Sequence, residues 1–332
     1  MPRPVRRKLI VLGCLALLGL ALTHTALADD PAGITPRGPD SPQAAGIEDI
    51  YWVLLAIAGA IFVLVEGALI LFVIRFRNRG RPRSLEGPQL HGATRLELIW
   101  TAAPVVILAA IVTFVLYKLP GINNVPSASA GNGRPTIRVE GRQFYWNFVY
   151  SNGVVQVQRL KVPVDRQVRL EIVSDDVDHS WWIPALQGKF DAIPGKTNKM
   201  TFKPEEVGTY RGQCGEFCGY SHPQMVATVD VVKSSEFDRW LAAEAQKQKN
   251  GTSTLGRQTF SGVCATCHGF KGEGGFGPTL QGNPVLGQPG AIRTLLLNGR
   301  GKMPAVGRDW SDTQMNALIG YLKQLHGSSG GG

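Results

Sequence analysis

Four of the five cysteines in this 332-residue chain fall into two close pairs, Cys214-Gly-Glu-Phe-Cys218 and Cys264-Ala-Thr-Cys267. His268 follows the second pair directly. Cys-x-x-Cys-His is the attachment pattern of haem c. Two thiols add to the two vinyl groups on one edge of the macrocycle, and the adjacent imidazole is then held under the iron. A redox dithiol is the alternative, but it has no need of His268. A haem at Cys264, Cys267 and His268 also needs a sixth ligand. Met303 sits in the loop Gly301-Lys302-Met303-Pro304, outside any helical pattern, whereas Met315 lies on the apolar face of a helix and reads as core. Met303 is the expected axial ligand, and a Met/His pair raises the haem potential, as suits electron transfer.

The first pair has its own neighbours, in the set His179 … Cys214-x-x-x-Cys218-x-x-x-His222-x-x-Met225. Two Cys with two His could hold structural zinc, and a Cys pair in an exported domain could be a disulfide. Neither reading uses Met225. Thiolate, imidazole and thioether together select copper, and two thiolates in one loop can bridge two copper ions.

The elements that carry these residues change character along the chain. Arg3, Arg6, Arg7 and Lys8 precede an apolar run from Leu9 to Leu22, and Ala26-Leu27-Ala28 fits a signal-peptide cleavage site. A third membrane helix, or a lipoprotein site at Cys14, is the alternative. Ile50 to Ile74 and Leu96 to Leu119 are each long and apolar enough to cross a bilayer. Glu66 lies within the first run and Glu97 at the edge of the second; acids in such places face protein or water rather than lipid. For Glu66 a partner subunit is expected. The chain carries a net charge of +10, most of it in residues 1–28 and in the Arg-rich loop 75–95. That excess flanks apolar segments rather than a folded face, which argues for membrane topology and against nucleic-acid binding.

From Thr136 to Val232 the pattern alternates in period two, which predicts a β-sandwich or barrel. Residues 234–250 read as a charged helix. Helical stretches follow around Gly256–Val263 and Ser311–Leu325, with Ser311 as N-cap. The expected divisions are a signal peptide (1–28), an N-terminal tail (29–49), a transmembrane helix hairpin (50–119, spans near 50–74 and 96–119), a linker (120–135), a strand domain (136–233), a linker helix (234–250), a haem domain (251–327) and a disordered tail (328–332).

From Ile50 to Leu325 the chain resembles subunit II of the haem–copper cytochrome c oxidases, of the caa3 kind with a fused C-terminal cytochrome c domain. Besides the copper loop, the resemblance rests on Leu96-Glu97-Leu98-Ile99-Trp100-Thr101, Gly141-Arg142-Gln143-Phe144-Tyr145-Trp146 and Asp191-Ala192-Ile193-Pro194-Gly195. It implies a multidomain fold: a two-helix transmembrane hairpin, a cupredoxin-like β-barrel and an α-helical class I cytochrome c domain. It implies a dinuclear CuA centre of two copper ions bridged by Cys214 and Cys218. His179 and His222 would each bind one copper, Met225 would be a weak ligand, and Glu216 would ligate through its backbone carbonyl. It further implies a magnesium site shared with subunit I, toward which the Glu216 side chain points, and a proton path whose mouth lies near Glu97. A helix-start acid is the plainer reading of Glu97. In the haem segment it assigns the carbonyl of Pro278 to the ring N–H of His268. Where the family usually has a Trp through which electrons arrive, this chain has Phe144, followed by Tyr145 and Trp146; packing of the barrel is the plainer role for all three.

The function so implied is the electron-receiving subunit of a terminal oxidase. Electrons pass from haem c to CuA and on to subunit I, where oxygen is reduced to water and protons are pumped. The partners implied are subunit I, subunit III, and an external donor such as a cytochrome c or a quinol–cytochrome c reductase. The membrane implied is the bacterial plasma membrane, with the N-terminus and both redox domains on its outer side. The small subunit of a CuA-containing nitric oxide reductase and an exported copper carrier or assembly factor are the rival readings.

Overall fold

The computed structural model describes residues 38–77, 91–123 and 134–328. The expected signal peptide, most of the Arg-rich loop and residues 329–332 lie outside the described residues. Two compact units form, residues 45–124 and the remainder of the chain.

The first unit is a pair of long helices, α1 (Pro42–Phe76) and α2 (Thr94–Asn123). The 35 residues of α1 rise about 52 Å at 1.5 Å per residue, more than the ~30 Å of a bilayer's hydrocarbon core. Both helices are apolar around their circumference, with Phe62, Leu64, Leu98, Ile99 and Val106 exposed. Only lipid or partner helices satisfy such a surface. Lys118 Nζ meets Asp49 Oδ2 at 2.6 Å between the two helices.

The tail expected over 29–49 is helical from Pro42 onward. Pro42 stands where a helix can spare an N–H, and Ser41 Oγ accepts from the Ala44 N–H at 3.1 Å as a cap. At the other end α2 runs to Asn123, four residues into the expected linker. Glu97 lies in the first turn of α2, where its Oε1 accepts from the Ala93 N–H at 3.0 Å.

The second unit begins with ten strands: β1 (Thr136–Arg142), β2 (Tyr145–Tyr150), β3 (Val155–Val157), β4 (Arg159–Pro163), β5 (Val168–Ser174), β6 (His179–Trp182), β7 (Phe190–Ala192), β8 (Asn198–Phe202), β9 (Gly208–Cys214) and β10 (Val226–Val232). One sheet has the order β3-β2-β1-β5-β8 and the other β4-β10-β9-β6-β7. β1 runs antiparallel to β2 (Val139 opposite Phe148) and parallel to β5 (Val139 opposite Ile172). Alternation does the sorting: Val168, Leu170 and Ile172 are buried, while Arg169 and Glu171 between them are not. Those residues meet Leu160, Trp181, Val229 and Val231 from the facing sheet in one core.

β2 breaks the alternation, with Tyr145, Trp146, Asn147 and Phe148 all buried. Trp146 and Phe148 face the core between the sheets, whereas Tyr145 belongs to a second cluster built by the C-terminal helices. A strand covered on both faces loses its period-two signature.

α3 (Ser234–Lys249) follows β10. Its Gln248 side chain accepts from the Val155 N–H at 3.0 Å and donates to the Val155 carbonyl at 2.7 Å, completing the edge of β3. Then come α4 (Leu255–Thr259), a π-turn over Phe260–Cys264, α5 (Ala265–His268), α6 (Pro289–Asn298) and α7 (Asp312–Ser328). Ser311 Oγ caps α7 by accepting from the Gln314 N–H at 3.2 Å. Leu255, Phe260, Ile292, Leu296, Met315, Leu318 and Leu322 form the domain's core.

α4 and α7 cross at Gly256, where a Cβ would lie 2.1 Å from the Ala317 carbonyl oxygen. The obstacle is backbone, so a neighbour cannot simply rotate away. Gly256→Ala is expected to destabilise the C-terminal domain by about 2–3 kcal/mol, seen as a lower midpoint in thermal unfolding.

Candidate redox sites

Four chain segments bring the first cysteine pair and its neighbours together. Cys214 ends β9, and its N–H donates to the Met225 carbonyl at 2.9 Å just before β10 begins. β6 pairs with β9 (Trp181 opposite Cys214), which carries His179 to the same end of the sheet. The turn Cys218–His222 closes the fourth side. Cys214 Sγ and Cys218 Sγ are 3.9 Å apart. His179 Nδ1 lies 3.8 Å from Cys214 Sγ, and His222 Nδ1 3.6 Å from Cys218 Sγ. Met225 Sδ is 3.8 Å from Cys218 Sγ, and the Glu216 carbonyl oxygen 3.2 Å from Cys214 Sγ. His179, Cys214, Cys218 and Met225 are all buried.

These distances discriminate among the chemistries open to the sequence. The two sulfurs stand nearly twice a disulfide bond apart and both thiols are free. A metal bonded to both at about 2.3 Å spans the gap. Two thiolates, two imidazoles, one thioether and one carbonyl make six donors, two more than a tetrahedral zinc uses. The same set, soft at its centre, suits a pair of copper ions.

The electrostatics favour a thiolate at Cys214. Burial pushes its thiol up, but hydrogen bonds from the His179 ring and the backbone of Ser180 and Glu216 outweigh that and hold it below the ordinary range. For Cys218, burial and the neighbouring Cys214 both push the thiol up. Burial also opposes a proton on His179, yet Asp176 and Cys214 outweigh it and raise the ring above its usual value.

Asp176 was not singled out by the sequence. Its Oδ1 lies 2.8 Å from His179 Nε2, and its carboxylate also accepts from the Gln143 and Val177 N–H groups, each at 2.7 Å. The far nitrogen of His179 is thereby held and Nδ1 is turned to the sulfurs. An acid three residues before the histidine was the available signal, hidden among Asp175 and Asp178. Asp176→Asn, which keeps the shape and removes the charge, is expected to weaken copper binding by roughly 10–100-fold, measured by competition with a chelator. Gln143 is a further unforeseen neighbour: its Nε2 donates to the Cys218 carbonyl at 2.6 Å.

In the C-terminal domain, Cys264 ends the π-turn, and Cys267 and His268 end α5. His268 Nδ1 is 2.7 Å from the Pro278 carbonyl oxygen. A carbonyl only accepts, so Nδ1 carries the ring proton and Nε2 presents its lone pair. Gly277 is packed on that ring, where a Cβ would sit 2.9 Å from His268 Cε1. Met303 packs half-buried against the cluster that also holds Val263, Cys264 and Leu280, while Met315 is buried in the core. Two free thiols, an imidazole with its tautomer set and a loop thioether are the donors that a covalently attached haem requires.

The remaining candidates separate. Trp146 is wholly buried, with its ring 5.2 Å from Trp181 and 6.0 Å from His179. Tyr145 is buried under the C-terminal domain. Phe144 is half-buried, 4.9 Å ring to ring from Tyr220. The Glu216 side chain is exposed and is not part of the close group formed by His179, Cys214 and Cys218.

Comparison with known proteins agrees with this geometry. Residues 31–117 match the family described as the cytochrome c oxidase subunit II transmembrane domain, and 153–232 its periplasmic domain. Residues 252–322 match the family described as cytochrome c oxidase, cbb3-type, subunit III. A cytochrome c oxidase subunit 2 of Alkalihalophilus pseudofirmus is 32% identical, covering 94% of this chain and 95% of that protein.

The chain belongs to the cytochrome c oxidase subunit II family.

A probable subunit 2 of Rickettsia bellii, 30% identical over 72% of this chain and 96% of its own length, and one of Synechocystis, 30% identical over 69% and 81%, extend the likeness. This subunit II carries a fused C-terminal cytochrome c domain behind a cupredoxin-like domain and a two-helix membrane hairpin. It is part of a haem–copper oxidase, associated with subunit I in the membrane, and its domains imply copper and haem. Neither the nitric oxide reductase nor the copper-carrier reading gains support from these relatives.

Proposed function

We propose that this subunit II receives electrons from an external donor on its cytochrome c domain and delivers them through its cupredoxin-like domain to subunit I. Oxygen is reduced to water there, with proton pumping. Haem c and a dinuclear CuA centre supply the one-electron chemistry when bound. Cys264 and Cys267 would attach the haem, His268 and Met303 would hold its iron, and the Pro278 carbonyl, 2.7 Å from His268 Nδ1, keeps the ring proton on that nitrogen. Cys214, Cys218, His179, His222, Met225 and the Glu216 carbonyl would hold the copper pair, with the two thiolates at the centre of the set. The chain's task is to hold both centres with little ligand movement.

The observation that carries this reading is the pair of free thiols 3.9 Å apart with an imidazole Nδ1 beside each. Its test is metal analysis and visible spectroscopy of the purified oxidase. Two copper ions with mixed-valence absorption and one c-type haem per chain support it; zinc at the cysteine pair overturns it.

The finer assignments follow from the same reading. The donor is a cytochrome c or a quinol–cytochrome c reductase, and subunit III joins the complex. The exposed Glu216 carboxylate reaches toward a magnesium whose other ligands come from subunit I. Glu97, at the start of α2, stands near a proton path into subunit I. Phe144, its ring 4.9 Å from that of Tyr220 in the copper loop, is the aromatic through which electrons arrive. The chain sits in the bacterial plasma membrane with the N-terminus and both redox domains on the outer side, which the Arg-rich loop favours.

A further inference from the structure

The cytochrome c domain does not hang from a tether. Tyr145, on the cupredoxin-like domain, sits inside the cluster formed by Leu255, Ile292, Leu296, Trp310 and Leu318. Its hydroxyl accepts from the Trp310 indole N–H at 2.9 Å and faces the Val306 carbonyl at 3.5 Å. Two strand positions on, Asn147 Oδ1 accepts from Gln314 Nε2 at 3.3 Å. At the rim Arg142 Nη1 meets Asp309 Oδ2 at 3.2 Å. β3 is approached as closely: a Cβ on Gly262 would lie 2.7 Å from Val157 Cγ1. Burial raises the Tyr145 pKa and keeps its hydroxyl neutral.

A second contact lies at the redox loops. Tyr220 stands between Cys218 and His222 in the sequence. Its ring is 6.0 Å from that of Phe276. Phe276 precedes Gly277, the residue packed on the His268 ring.

We propose that the Tyr145–Trp310 pair, with Asn147–Gln314 beside it, is a positioning clamp. It fixes the cytochrome c domain on the outer face of β2, so that the His268 loop, through Phe276, rests on the copper loop at Tyr220. The arrangement takes its purpose from the redox assignment above, but its geometry is independent of it. Neither Tyr145 nor Trp310 is a proposed ligand; they act by placing one loop against the other.

The test uses the assembled oxidase with a protease site inserted at Gly251, an exposed residue between α3 and α4. After cleavage, the haem-bearing fragment of the otherwise unchanged chain is expected to stay bound through washing. Tyr145→Phe and Gln314→Ala, singly and together, remove one or both hydrogen bonds and leave a buried partner unpaired. Each is expected to release the fragment about tenfold faster. In the uncut variants, the visible spectra of both centres are expected to be unchanged. The rate at which one electron lost by the haem iron appears on the copper pair, with no bond or proton altered, is expected to fall about tenfold or more. A cleaved parent that sheds its fragment on washing overturns the clamp. So do variants that match the parent in both release and transfer. Missing copper absorption in the parent would strike the redox assignment instead, and fragment release, which needs no copper, still decides on the clamp.

Discussion

Cys218→Ser is expected to disconnect the oxidase at its copper loop while leaving the haem in place. The substituted oxygen is hard, less polarisable and a poor bridge between soft metals. Cys218 Sγ also lies within 3.9 Å of three other donors of the cluster, Cys214 Sγ, His222 Nδ1 and Met225 Sδ. Removing an outer partner of a metal ligand costs 10–100-fold, so losing a bridging ligand is expected to cost more than about 100-fold in oxygen consumption. The distinguishing sign is where electrons accumulate. With an external donor present, haem c should remain reduced in air, because it can still be filled but no longer emptied. Copper analysis should show fewer than two ions per chain. A variant that keeps both copper ions and full turnover would remove Cys218 from the bridge.

The residues that such an experiment probes were readable from the sequence because soft donors are scarce. Four cysteines in two tight pairs, each followed closely by a histidine and the first by a methionine as well, leave few chemistries open. The alternating strands were readable for a similar reason: β5 has one wet face, so Arg169 and Glu171 mark its outside. β2 and β3 were not readable in the same way. Tyr145 and Asn147 look like ordinary outward positions of an aromatic strand until the C-terminal domain covers them, and no local pattern announces a partner 165 residues away. Asp176 was hidden for a different reason. Three acids crowd the four residues before His179, and spacing alone does not tell which carboxylate turns back to the ring. The start of α1 was missed because residues 42–49 are mixed in polarity; a cap and a proline set the boundary there, not the apolar run.

Met303 offers the sharpest test of the haem assignment, because the chain supplies its own control. Its loop is built to hold one side chain in place. Arg300 and Met303 exchange two backbone hydrogen bonds of 3.0 Å, and Gly299 and Gly301 adopt φ of 69° and 62°. A Cβ at Gly299 would come 2.5 Å from the Met303 carbonyl oxygen, so that turn admits only glycine without rearrangement. Leucine at position 303 conserves volume and removes the thioether. The fold should survive, at a cost below about 1.5 kcal/mol. The haem potential, which axial ligation moves over about 0.8 V, is expected to fall by on the order of 0.1 V. A lower potential makes haem c harder to fill from the same donor, so steady turnover should slow while the copper spectrum stays as it was. Met315→Leu makes the same chemical change 12 residues later, at a side chain 1% exposed in the helical core. It should leave the potential untouched. A redox titration of the two variants side by side separates ligation from packing, and a shift confined to Met315→Leu would exchange the roles of the two methionines.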